Sequence, residues 1–219
     1  MKVYYNKHQG QRGFIIANGN SLNDIDVTLM KNDVVIALNR GYLKEGLPIT
    51  YLVVCNDLVE KQFGNEILKV RCKDIFSNSL PGTQRLHWTS DIPRFQPDAS
   101  KPIWQGHTVT FVAMQLAYYM GMNPVYVVGL DHYYDQSGSV KKRGRGIVSE
   151  GDDPNHFHKE YFGKGIRWDP PNLRMSEKAY RLARTYYNAH HRQLWNATEK
   201  TALSEDILPK IKYESLFDV

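Results

Sequence analysis

Two cysteines in 219 residues, Cys55 and Cys72, are too few for a disulfide framework and lack the paired spacing of a zinc site. Both read as reduced thiols, Cys55 from inside an apolar stretch. No N-terminal apolar segment has the length of a signal peptide, and no run of about 18 apolar residues occurs. The expectation is a cytoplasmic protein without a transmembrane segment. Neither well-known phosphate fingerprint is present, because no Gly-Lys-Ser/Thr follows a glycine-rich loop and G-x-G-x-x-G is missing. Internal repeats and low-complexity tracts are absent too, which excludes solenoids and fibrous classes.

A hydrophobic content of 42% with 12% aromatics fits a folded chain, and the length suits a single domain over residues 1–219. The net charge of +5 points to an anionic ligand or surface, although Lys141, Lys142, Arg143 and Arg145 concentrate much of it in one segment. No nucleic-acid partner is expected. A homo-oligomer is compatible with these features.

The organising stretch is Gly13 to Asp26. A short apolar run, Phe14 to Ala17, meets the polar turn Asn18-Gly19-Asn20-Ser21, and Leu22 and Ile25 follow at helical spacing. The pattern predicts strand, tight turn and helix start, the front half of a βαβ unit. Gly19 allows close approach of a ligand to the main chain, and Asn20 or Ser21 can cap a helix whose free N–H groups favour an anion.

Later strands end alike. Asp33 to Leu38 stops at Asn39, and Tyr51 to Cys55 stops at Asn56. With Asn18, three successive strands close on asparagine, and in an open parallel sheet the ligand crevice lies at the carboxyl ends of the strands. Amides offer donors and an acceptor, which suits a nucleotide without adding charge.

Asp57 to Phe63 reads as a short helix, Ile67 to Val70 as a strand, and Arg85 to Trp88 as a strand within an irregular crossover. Met1 to Arg12 reads as an added strand or an arm. Val109, Val112, Ala113, Leu116, Ala117 and Met120 form one apolar helical face ending at Gly121. Gly106 and Thr108 begin this helix and can offer N–H groups to a phosphate or carboxylate. Pro124 to Val128 is then a buried strand, and Gly129-Leu130-Asp131 brings a carboxylate to the edge that carries the asparagines.

Residues 132–172 form a long polar segment expected to act as a lid. Within it, His156 and His158 lack a convincing third and fourth metal ligand beyond Asp152 and Asp153, so no metal site is expected. One of them as a general base is the better fit, since a pKa near 6.5 suits proton abstraction at neutral pH. His156 is preferred because Pro154 and Asn155 form a turn beside it and Phe157 can anchor the peptide; His158 is the alternative. A helix from Ser176 and a strand at Gln193 to Trp195, ending in Asn196-Ala197-Thr198, complete the pattern. The fold class is α/β: a Rossmann-like domain with a mostly parallel sheet flanked by helices and a long lid.

The set Ala17-Asn18-Gly19-Asn20-Ser21-Leu22, Asn39, Asn56, Gly129-Leu130-Asp131 and Asn196-Ala197-Thr198 resembles the bacterial sialyltransferases of the Campylobacter type. It equally resembles the broader family of archaeal hydroxymethylpterin diphosphokinases and the motility accessory factors that glycosylate flagellin. The resemblance implies that Asn18, Asn39 and Asn56 bind a cytidine nucleotide and its phosphate, that Tyr133 holds the leaving phosphate, and that His156 or His158 is the base. Residue reading and resemblance together give the expected nucleotide-binding set Asn18, Gly19, Ser21, Asn39, Asn56, Gly106, Thr108, Asp131, Asn196 and Thr198. The implied activity is an inverting, sialyltransferase-like glycosyltransferase that takes a nucleotide-sugar donor, such as one linked to CMP, needs no cofactor, and acts on a glycan or other hydroxyl acceptor. The alternatives are a magnesium- and ATP-dependent pterin diphosphokinase, with Asp131 and Asp152 or Asp153 on the ion, and a nucleotide-binding protein without catalysis.

Overall fold

The computed structural model describes residues 1–89, 93–135, 140–143 (backbone only) and 146–217. Short β-branched runs supply the sheet: β1 Gly13–Ile16, β2 Val34–Leu38, β3 Tyr51–Val53, β4 Asp74–Ser77 and β5 Gln84–Arg85. Next come β6 Trp88–Thr89, β7 Ile103–Trp104 and β8 Val125–Val128. The lid region holds β9 Val140–Arg143, β10 Gly146–Ser149 and β11 Arg167–Trp168, and β12 Leu194–Asn196 closes the set. The helices are α1 Asp57–Ile67, α2 Val109–Tyr119 and α3 Leu173–Ala189.

Seven strands form one sheet in the order β12-β8-β1-β2-β3-β4-β5, and every pairing in it is parallel. The chain runs outward from β1 through β5 and then crosses to β8 on the other side of β1. That reversal is a switch point of the sheet. Ala17 N–H donates to Val128 O at 2.8 Å and Gly19 N–H to Gly129 O at 2.9 Å, so the two chains stay paired just past the sheet.

Because side chains alternate along a strand, each sheet face builds its own core. Ile15, Ile36, Leu38, Val53 and Val127 pack with α2 and α3, whereas Phe14, Ile16, Val35, Tyr126 and Val128 meet Phe157 and Tyr161 from the lid. Helix α2 is buried nearly all round, being wedged between the sheet and α3. Helix α3 buries Ser176, Ala179, Tyr180, Ala183 and Tyr187, one stripe at helical spacing.

Several expectations are corrected. After Gly19 the chain forms two 3-10 turns, Asn20–Asp24 and Val27–Met30, in place of an α-helix. Apolar residues at i and i+3 fit a 3-10 turn as well as an α-helix, and here Leu22, Val27 and Met30 are buried by it. Residues 67–70 are the end of α1 and the turn after it, and the strand lies at β4. The N-terminal segment begins with the 3-10 turn Lys2–Tyr4, which buries Tyr4 against Phe76, and His8 bonds the Tyr51 hydroxyl at 2.8 Å.

The lid has more structure than its polar sequence suggests. Strands β9 and β11 flank β10 in a three-stranded antiparallel sheet, and Phe157, Tyr161 and Trp168 are buried. Of the basic segment, Lys141, Lys142 and Arg143 fall on β9, and Arg145 lies outside the described residues. No helix among the described residues is long and apolar enough to cross a membrane.

Candidate active site

The three asparagines converge. Asn18, Asn39 and Asn56 line one cavity of about 410 Å³ at the carboxyl edge of β1, β2 and β3. Each has a different local job. Asn18 Nδ2–H donates to Leu38 O at 3.1 Å, tying the β1 exit to the β2 exit. Asn39 has φ of 48°, a left-handed conformation that asparagine tolerates better than branched residues. Asn56 caps α1, its Oδ1 accepting from Leu58 N–H at 2.9 Å and Val59 N–H at 3.2 Å. Asn56 therefore has only its NH₂ left for a ligand. By contrast, Asn18 Oδ1 and Asn39 Oδ1 are buried and have no hydrogen-bond partner. A stranded acceptor costs about 1–3 kcal/mol, so both oxygens call for a donor such as a hydroxyl or amine. Ionised phosphate oxygens, being acceptors, do not satisfy them.

The expected anion cradle at Gly19 is already filled by the protein. Asp131, delivered by the loop after β8, accepts from Ser21 N–H at 3.0 Å and from the Ser21 hydroxyl. A methyl group on Gly19 would collide with this carboxylate, so glycine here serves the approach of Asp131. Burial raises the pKa of Asp131, against the pull of the Ser21 bonds and the nearby His156. Its stability contribution is thus greatest below the ordinary carboxylate pKa and is lost as pH rises through the raised value.

His156 stands across the cavity. Its Nδ1–H donates to Asp153 Oδ2 at 2.7 Å, its ring stacks on Tyr161 with centroids 4.1 Å apart, and it is 7% exposed. With Nδ1 engaged, Nε2 is the nitrogen left for chemistry. Burial alone would raise the pKa of Asp153, but the bonds from His156, Asn155 N–H and Phe162 N–H bring it below the ordinary carboxylate range. That contribution is complete above the unfolded carboxylate pKa and drains only as pH falls through the lower folded value. The segment is pinned to the β1 turn: Asn20 Nδ2–H donates to Pro154 O at 2.6 Å, Asn23 Nδ2–H to Phe157 O at 2.9 Å, and Phe157 N–H to Asn18 O at 3.1 Å.

His158 does not line the cavity, and its Nδ1 accepts from Glu160 N–H at 3.2 Å. Tyr133 does line it, 65% exposed, and so does Thr108, whose Oγ1 caps α2. Four other expected ligand residues lie off its wall. Ser21 is spent on Asp131, and Gly106 packs where a side chain would meet Phe111 and Ala179. Thr198 Oγ1 accepts from Leu130 N–H at 2.9 Å, and Asn196 Oδ1 from Thr198 N–H at 3.1 Å, so both brace the loop that carries Asp131. No group of three or more His, Cys, Asp and Glu side chains among the described residues forms a metal-ligating set.

No protein-family model matches the chain, and no curated protein matches it in sequence. A solved structure does match. The chain is similar in fold to the sialyltransferase CstII from Campylobacter jejuni, solved in complex with a substrate analogue, cytidine-5'-monophosphate. The TM-score is 0.50 at 13% sequence identity, over 91% of this chain and 84% of that one. At that identity the likeness shows the α/β fold.

Sequence reasoning missed much of the wall opposite the asparagines. Gln105, whose Nε2–H donates to Cys55 O at 2.6 Å, lines the cavity with Tyr134, Tyr161, Trp168 and Asn172. In the sequence Asp153 reads only as an ion ligand, although an aspartate three residues before a histidine is the spacing that lets a turn join them. Cys55 also lines the cavity, but burial pushes its thiol up to about 12, so it stays protonated and unreactive.

Proposed function

We propose that this protein is a transferase that moves a sugar from a nucleotide donor to an acceptor hydroxyl with inversion and without a metal. The observation that carries the reading is the placing of His156, oriented by Asp153, in the same cavity as three strand-end asparagines. Asn18 and Asn39 offer bare carbonyl oxygens suited to ribose hydroxyls or a base amine, and Asn56 offers its NH₂. His156 Nε2 takes the acceptor proton as the acceptor oxygen attacks the anomeric carbon, and the Asp153 carboxylate stabilises the imidazolium that forms. Tyr133, exposed at the cavity wall, donates its hydroxyl proton as a hydrogen bond to the departing phosphate. The fold likeness to a sialyltransferase solved with cytidine-5'-monophosphate supports a cytidine-monophosphate nonulosonate as the donor.

The diphosphokinase reading needs two carboxylates free for magnesium. Asp131 is held by Ser21 and Asp153 by His156, Asn155 and Phe162, while Asp152 is exposed and off the cavity wall, so nothing favours it. Transfer from CMP-N-acetylneuraminate to lactose, assayed with and without EDTA, tests the proposal: equal rates are expected. Loss of activity in EDTA with recovery in magnesium would overturn the metal-free mechanism.

A second expected result concerns the floor. Asn39→Gly removes the amide while keeping the left-handed backbone, and it should weaken binding of the preferred nucleotide by about 1–3 kcal/mol. Titration calorimetry with CMP, UMP, GMP and AMP reads this out. Unchanged affinity would reduce Asn39 to a turn residue.

A further inference from the structure

An activated sugar donor of the kind proposed above is anionic, yet two of the places where the cavity was expected to hold an anion do not, and Thr108 and Tyr133, which do line it, carry no positive charge. The Gly19 turn is filled by a carboxylate, and the carbonyl oxygens of Asn18 and Asn39 are acceptors. Asp131 and Asp169 both lie in the wall, so an anion entering this cavity meets negative charge. A fixed cation in the wall would balance that charge. Among the described residues, Arg167 is the one lysine or arginine that lines it.

The position of Arg167 is built. Its backbone is clamped to α1 from both sides: Arg167 N–H donates to Gln62 Oε1 at 3.2 Å, and Gln62 Nε2–H donates to Arg167 O at 2.8 Å. Its guanidinium lies against Gly146 of β10, where an added methyl carbon would sit 2.8 Å from Nε. Gly146 is thus a seat for the side chain. Within the described residues no carboxylate comes within ion-pair distance of the guanidinium, in contrast to Arg12 on Asp33 and Arg40 on Glu66. Arg167 and His156 line the same cavity.

We propose that Arg167 receives the oxyanion of the donor, its phosphate or its sugar carboxylate, through the planar fork of its guanidinium. This rests on the nucleotide-sugar reading above. It assigns to lid strand β11 the charge recognition that the Gly19 turn does not supply, and it makes the lid part of the donor site.

Titration calorimetry on the whole protein tests it, with wild type, Arg167→Gln and Arg167→Lys against CMP, cytidine and CMP-N-acetylneuraminate, and with UMP, GMP and AMP in parallel. If the oxyanion is the phosphate, Arg167→Gln should weaken CMP roughly 10- to 100-fold and leave cytidine within about twofold, with Arg167→Lys between. If it is the carboxylate, the same loss should appear only with CMP-N-acetylneuraminate. Unchanged binding of all three by Arg167→Gln overturns the assignment, and so does an equal loss on cytidine and CMP; wild-type binding leaves the nucleotide reading standing in both cases. Failure of wild type to bind any of the nucleotides overturns the reading and the assignment together. Since Gly146→Ala crowds the guanidinium without removing charge, it should lower affinity for the same ligand that Arg167→Gln loses.

Discussion

Replacing His156 by Gln is expected to lower turnover by about two to four orders of magnitude, with donor affinity nearly unchanged. Glutamine keeps much of the volume and can still reach Asp153, so the wall survives while the proton acceptor is lost. The ring stacks on Tyr161 and bonds Asp153, both on the lid side, whereas the asparagine floor is built from the strand ends. Donor binding and base catalysis should therefore separate, and kcat with calorimetric Kd for the nucleotide shows whether they do. His158→Gln is the control, since His158 does not line the cavity and only accepts from the Glu160 amide. A rate that survives His156→Gln and falls with His158→Gln would move the base to the other histidine. A rate that survives both but vanishes with a chelator would replace the mechanism altogether.

The asparagine floor was legible in the sequence because parallel strands deliver their ends to one edge, however the loops continue. Strand ends can be read from β-branched runs, and Asn18, Asn39 and Asn56 each come directly after one. The conformation beyond the first strand was not legible, because Leu22 and Ile25 have a spacing common to 3-10 turns and short α-helices. The role of Gly19 was reversed for the same reason: a tight turn with free amides fits a phosphate or a carboxylate equally, and only the register of β1 with β8 shows that Asp131 gets there first. In the lid, polar composition hid an ordered core. Phe157, Tyr161 and Trp168 have no period, and their burial depends on partners far away in sequence, on β1 and β2 and on β10. Arg40 belongs to this illegible class too, since nothing near it in sequence says that an arginine after Asn39 is buried.

Arg40→Leu should lower stability by about 2–5 kcal/mol and slow turnover further than unfolding alone explains. The guanidinium is buried, lies 3.8 Å from the centre of the Phe63 ring, and donates through Nη1–H to Glu160 O at 2.6 Å and Tyr161 O at 2.5 Å. Leucine leaves both carbonyl oxygens without a donor, at about 1–3 kcal/mol each where water cannot reach, and forfeits a desolvated cation–π contact. The Glu66 partner is half exposed, so that ion pair adds little to the loss. For a chain of this length the midpoint of thermal unfolding should fall by roughly 5–15 °C. The functional effect comes through Tyr161, because the carbonyl that Arg40 holds belongs to the residue on which the His156 ring stacks. Freed of that latch, Tyr161 no longer fixes the imidazole, and kcat should drop at temperatures where the variant is still folded. Arg40→Lys can restore one hydrogen bond but not the guanidinium's contact with the Phe63 ring, so it should recover part of the stability and less of the rate. A melting point for Arg40→Leu within about 2 °C of wild type would mean that water replaces the guanidinium at both carbonyls, and the lid would then be held by its aromatic packing alone.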